Sequence, residues 1–97
     1  MSVPRERADL LADGGDPEAH AALLTHPRFD ERPCAADPTA WDSPRRGTWD
    51  DWWQQTGRWS ARICLTACPV LAQCRAWADT DPYVDGVLAG RAPRRYR

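Results

Sequence analysis

The 97-residue chain has no lysine and no asparagine, one Phe, one Met, and only 13 Val, Ile, Leu and Phe side chains in all. Fifteen alanines make up much of its apolar fraction. A domain of this size with so few large aliphatic groups gains little from burial alone, so a covalent or metal staple is expected. There is no apolar run of 18 residues, which argues against a helical membrane span. The stretch MSVPRERADLLADGG also lacks the apolar segment of a secretory signal. The expected compartment is therefore the reducing cytoplasm, where cysteines serve metal, cluster or redox chemistry before permanent disulfides.

Charge is balanced overall, with 13 Arg against 14 Asp plus Glu and a net charge of −1, and the whole molecule is no polyanion binder. The balance hides a segregation. Residues 86–97 hold four Arg and no acid, whereas the other 85 carry 9 Arg and 14 acids.

Local signals describe short helices. Asp16-Pro17-Glu18 supplies an N-cap, a Pro at the first helical position and an acid in the first turn, predicting a helix to about His26 with Leu23 and Leu24 inward. Cys34 follows in the linker RPCAADP, and Asp37-Pro38 repeats the cap signal for a helix carrying Trp41. Thr48 with Asp51 resembles a capping box, opening a helix through Gln55 that Gly57 closes. Trp49, Trp52 and Trp53 share one face of it by spacing. RWSARICLTA continues as a helix with Trp59 and Ile63 on one face and Cys64 and Cys68 near its end. Pro69 opens a further helix, PVLAQCRAWAD, bearing Cys74 and Trp77. No strand pattern is longer than Tyr83 to Leu88, and no internal repeat is present.

The four thiols are spaced C-x29-C-x3-C-x5-C with no His between the first and last. Mixed Cys/His zinc ligation within this framework is thereby excluded. A structural zinc site generally pairs two short knuckles, and only one short pair exists here. A cubane iron–sulfur cluster accepts thiolates from unequally spaced positions on separate helix ends. Thiolates suit either metal, so an iron–sulfur cluster, zinc, redox disulfides and unligated core cysteines all stay open on residue chemistry.

The same spacing, with CPVLAQC around the last two cysteines, PCAADPTAW around the first and Gly86-Val87-Leu88-Ala89-Gly90 ahead of a basic tail, resembles the WhiB-like family of actinobacteria and their phages. The resemblance spans roughly Pro33 to Arg97. It implies a redox- and nitric-oxide-responsive transcriptional regulator, cytoplasmic and not an enzyme, with one [4Fe-4S] cluster on Cys34, Cys64, Cys68 and Cys74. It also implies docking on domain four of the primary sigma factor, as a monomer or a heterodimer with sigma. Gly86, Val87, Leu88 and Gly90 then form the sigma-facing turn, with Trp52 and Trp53 as neighbours. Two departures stand out: the family's middle pair is usually C-x2-C, and its turn is usually G-[VI]-W-G-G, where Leu88 and Ala89 replace Trp and Gly here.

The expected fold is all-α: a small bundle of short helices around a cysteine-ligated [4Fe-4S] cluster, ending in an irregular turn and a basic tail. Residues 1–32 form an extension with one short helix, and residues 33–97 form the iron–sulfur domain. In the tail, Arg91, Arg94, Arg95 and Arg97 are the candidate DNA contacts. Four phosphates neutralised give a salt slope of at most about −3.6 on log K, too little for tight binding alone. GRAPRRYR is only distantly like the AT-hook core, since Ala92 breaks its order, and the plainer reading is a solvated basic tail. His20 and His26 are expected on the surface. Two rivals remain: a structural zinc module for protein interaction, and a disulfide reductase using Cys64 and Cys68 in the cluster-free form.

Overall fold

The computed structural model describes residues 14–42, 44, 47–80 and 86–93. The N-terminal lead, much of the 43–46 loop, Tyr83, and the tail residues Arg94, Arg95 and Arg97 lie outside them. Most described residues are helical.

The first helix, α1 (Pro17–Leu24), starts where the cap signal predicts. The Asp16 carboxylate accepts the backbone N–H groups of Glu18 at 3.1 Å and Ala19 at 3.0 Å, satisfying donors that a helix start leaves open. Of the two leucines expected inward, only Leu23 is buried, and Leu24 is exposed. Consecutive residues on a helix point about 100° apart, so a narrow contact face takes one of them. The residue that shares the inner face is His20, which stacks on Trp77 with ring centroids 5.3 Å apart. His20 is therefore a core residue, contrary to its expected surface position.

Cys34 sits on a single helical turn, α2 (Pro33–Ala36), followed by a 3-10 turn at Pro38–Ala40 in place of the expected helix. Asp37 does not cap it. Its carboxylate accepts the Thr39 hydroxyl at 2.6 Å, and its extended backbone breaks the chain before Pro38.

Thr48 caps α3 (Trp49–Trp52) by accepting the Asp51 N–H at 3.1 Å. Gly57 does not end this helix. Trp53–Gly57 forms a π-helical turn that runs directly into α4 (Arg58–Ala67), a local widening of the kind π-bulges give. The reason for glycine is steric: a methyl group there would stand about 2.7 Å from the rings of both Trp52 and Trp53. The turn Cys68-Pro69-Val70 then reverses the chain into α5 (Leu71–Ala78).

Residues 86–93 fold back over these helices. Leu88 and Arg91 exchange backbone hydrogen bonds as an isolated antiparallel bridge, with Ala89 at φ 55° and Gly90 at φ 75° between them. Two successive positive φ values define a tight hairpin-type turn, which favours glycine. Gly86 is also required: a Cβ there would meet the Trp41 carbonyl and the Asp42 backbone.

Two small apolar clusters make the core. One joins Leu23, Val70, Trp77, Leu88 and Ala89, and the other joins Trp41, Ala61, Cys64 and Val87. Residues 14–32, expected as an extension, contribute Leu23 and His20 to it, and the Gly14 carbonyl accepts the Trp77 indole N–H at 2.8 Å. Among the described residues no helix is long and apolar enough to cross a membrane.

Candidate metal centre

The four cysteines come from three separated stretches of chain: Cys34 on α2, Cys64 on α4, Cys68 at its C-cap, and Cys74 on α5. All four line one small cavity of about 30 Å3. Its other walls are apolar groups, including Leu23, Phe29, Trp41, Val70, Trp77 and Leu88, with Arg32 as the one charged residue. No disulfide joins any of the four. Among the described residues no three His, Cys, Asp or Glu side chains are gathered as a group that could hold a metal ion.

The thiols sense one another. Burial pushes the Cys68 thiol above its ordinary range; a backbone hydrogen bond at Val70 pulls it back, charge on Cys64 and Cys34 pushes it further up, and the Arg32 guanidinium lowers it. Cys64 is buried and accepts the Trp41 indole N–H at 3.0 Å. Arg32 lies 3.7 Å over the Phe29 ring and donates through Nη1 to the Phe29 carbonyl at 2.9 Å. Its Nε is buried with no hydrogen-bond partner. An unsatisfied guanidinium donor in an otherwise apolar cavity of thiols suits an anionic occupant.

The chemistry of the lining suits a thiolate-held group, although the thiols are not drawn together as a metal group in this structure. The donor set is all sulfur, the walls are apolar, one N–H already points at a thiol and one cationic donor is unpaired. Cys34, Cys64, Cys68 and Cys74 would be its ligands.

The other predicted residues fall in different settings. Val87 and Leu88 are buried in the core, Gly86 is buried beneath the Trp41 carbonyl, and Gly90 is half-buried against Leu65. In this structure the turn closes on the cavity through Leu88 and Ala89. Trp52 and Trp53 are partly buried against the second core cluster, with Trp49 edge-on to Trp52. Arg91 pairs with Asp79 at 2.7 Å, which fixes it at the end of α5.

Sequence reasoning passed over two features. Trp41, for which the sequence offers no role, supplies the polar contact to Cys64. The face of α4 that carries Trp59 and Ile63 is exposed, with the Arg58 and Arg62 guanidinium carbons 5.5 Å and 5.7 Å from the Trp59 ring centroid. The signal for it was available, since no acid occurs between Trp52 and Ala78. No known protein family, curated protein or solved structure matches the chain.

Proposed function

We propose that this is an iron–sulfur regulatory protein: one [4Fe-4S] cluster held by Cys34, Cys64, Cys68 and Cys74, serving as both staple and sensor in transcriptional control. The observation that carries the reading is the convergence of four cysteines from three stretches of chain on one apolar cavity. When bound, such a cluster supplies a centre that oxidants and nitric oxide attack. The chain's own residues do the rest. The cavity walls limit water and oxygen access, Trp41 orients Cys64, and Arg32 balances thiolate charge.

The particular regulator proposed is of the WhiB-like kind, acting with domain four of the primary sigma factor in the cytoplasm. Its partner surface is the outer edge of the 86–91 turn together with Trp52 and Trp53. The exposed Trp59 and Ile63 extend that surface along α4, as aromatic and aliphatic groups flanked by Arg commonly do at interfaces. The basic tail beginning at Arg91 adds phosphate contacts once sigma positions the complex.

A binding experiment tests the regulatory part. The anaerobically reconstituted chain, mixed with isolated sigma domain four, should elute as a one-to-one complex that nitric oxide breaks. A reconstituted chain that ignores sigma, or a complex indifferent to nitric oxide, would contradict it.

A further inference from the structure

Trp41 is bonded at both ends. Its indole N–H donates to the Cys64 sulfur at 3.0 Å, and its main-chain carbonyl accepts the Val87 N–H at 2.7 Å. The residue before it is pinned independently, because the Ser60 hydroxyl of α4 donates to the Ala40 carbonyl at 2.6 Å. Trp41 and Cys64 are both buried, so neither group exchanges its partner for water at no cost.

We propose that Trp41 is a positioning residue that couples the Cys64 sulfur to the C-terminal turn. A metal-bound thiolate is a strong acceptor and makes the indole bond charge-assisted, whereas a neutral or oxidised sulfur holds it weakly. With Ala40 anchored on Ser60, a ring that loses its acceptor moves about its own Cα. Because the indole is buried, it moves only if the Trp41 backbone turns with it, and that turn shifts the carbonyl on which Val87 hangs. Gly86 lies against the same carbonyl with no room for a Cβ, so the turn cannot absorb the movement locally. The state of one cysteine is thereby passed to residues 86–91. This deepens the cluster reading and rests on it for its signal, while the hydrogen-bonded path itself stands without metal.

The path is tested in the reduced, metal-free full chain by NMR exchange of the indole and backbone N–H groups. C64A removes the acceptor. It should speed exchange of the Trp41 indole and of the Val87 amide roughly fivefold or more, the effect of losing one hydrogen bond. The Trp77 indole, bonded to Gly14, should be unchanged. C64S retains an acceptor and should fall between, which keeps the test decisive if the alanine variant does not fold. A Trp41 indole unmoved by either substitution would overturn the proposal, as would a moved indole with an unmoved Val87 amide. Reconstitution with iron and sulfide then separates the two levels. The reduction potential of W41F should be more negative than that of the unaltered chain, because an N–H donor to sulfur favours the reduced state. Equal potentials in two loaded proteins would overturn the proposal and leave the cluster reading intact. A chain that takes up no iron would sink the cluster reading, and the exchange data alone would then decide the path.

Discussion

The two sides of α4 invert the usual order of apolar size. Its inner side carries Ser60, Ala61 and Cys64, all 8% exposed or less, whereas its outer side carries Trp59 at 50% and Ile63 at 40%. Small inner residues let the helix approach the first-cysteine segment closely enough for the Ser60 hydroxyl to bond the Ala40 carbonyl and Cys64 to meet the Trp41 indole. The large groups left outside add little to folding. Size on this helix therefore follows close approach at the thiol cavity and not burial of the largest apolar groups.

The sharpest way to break this comparison is to truncate one Trp from each setting. Trp77 is fully buried, stacks on His20 and bonds Gly14, so Trp77→Ala should cost about 3–5 kcal/mol. Trp59→Ala should cost about 1 kcal/mol or less, the value of an exposed cation–π contact. Urea unfolding followed by circular dichroism reads both, and equal losses would mean that the outer face of α4 belongs to the core.

Next in size is Gly57→Ala. Overpacking against Trp52 and Trp53 should destabilise by about 1–3 kcal/mol in the same assay, although alanine is the better helix former. A gain in stability would show that the two rings repack freely.

A smaller effect separates the cysteines by pH. The folded metal-free chain holds the Cys68 proton more tightly than the unfolded chain, chiefly through burial. Its contribution to stability therefore stands below the ordinary thiol range and is lost as pH rises through the raised folded value. Mass-resolved iodoacetamide labelling of the native chain should find Cys68 slower near neutral pH than in the urea-unfolded chain, with the gap closing as the solution becomes alkaline. A Cys68 labelled equally fast in both states would contradict that.

The smallest change is expected at Ala89. A left-handed Ala costs about 1–2 kcal/mol and Ala89→Gly relieves it. The glycine also forfeits roughly 0.8 kcal/mol of methyl burial and about 0.5–1 kcal/mol of chain entropy. The sum is near zero, and a gain well above 1 kcal/mol in urea unfolding would mean that the buried methyl contributes nothing to the core.

How much of this was legible follows from range. Caps act over three residues, so Asp16 and Thr48 announced α1 and α3 correctly. The all-helical class followed from the same local signals. Gly57 misled because a glycine that ends a helix and a glycine crowded by two rings look alike in sequence. Trp59 and Trp77 were indistinguishable for a related reason: burial depends on which helix packs where, and α1 covers Trp77 from more than 50 positions away in sequence. For the site, cysteine spacing named the four residues that line the cavity. Trp41 and Arg32 carry no local pattern, and only the packed chain brings the Trp41 indole to Cys64 and Arg32 to the cavity wall.

The central claim is that the four cysteines act as one ligand set, and metal content measures it directly. The chain purified and reconstituted without oxygen should carry about four irons and four sulfides with broad absorption near 400 nm, as cubane clusters do, and replacing any one of the four cysteines by Ala should abolish both. A colourless, air-stable protein with one zinc per chain would contradict the account, as would iron uptake indifferent to the loss of a cysteine.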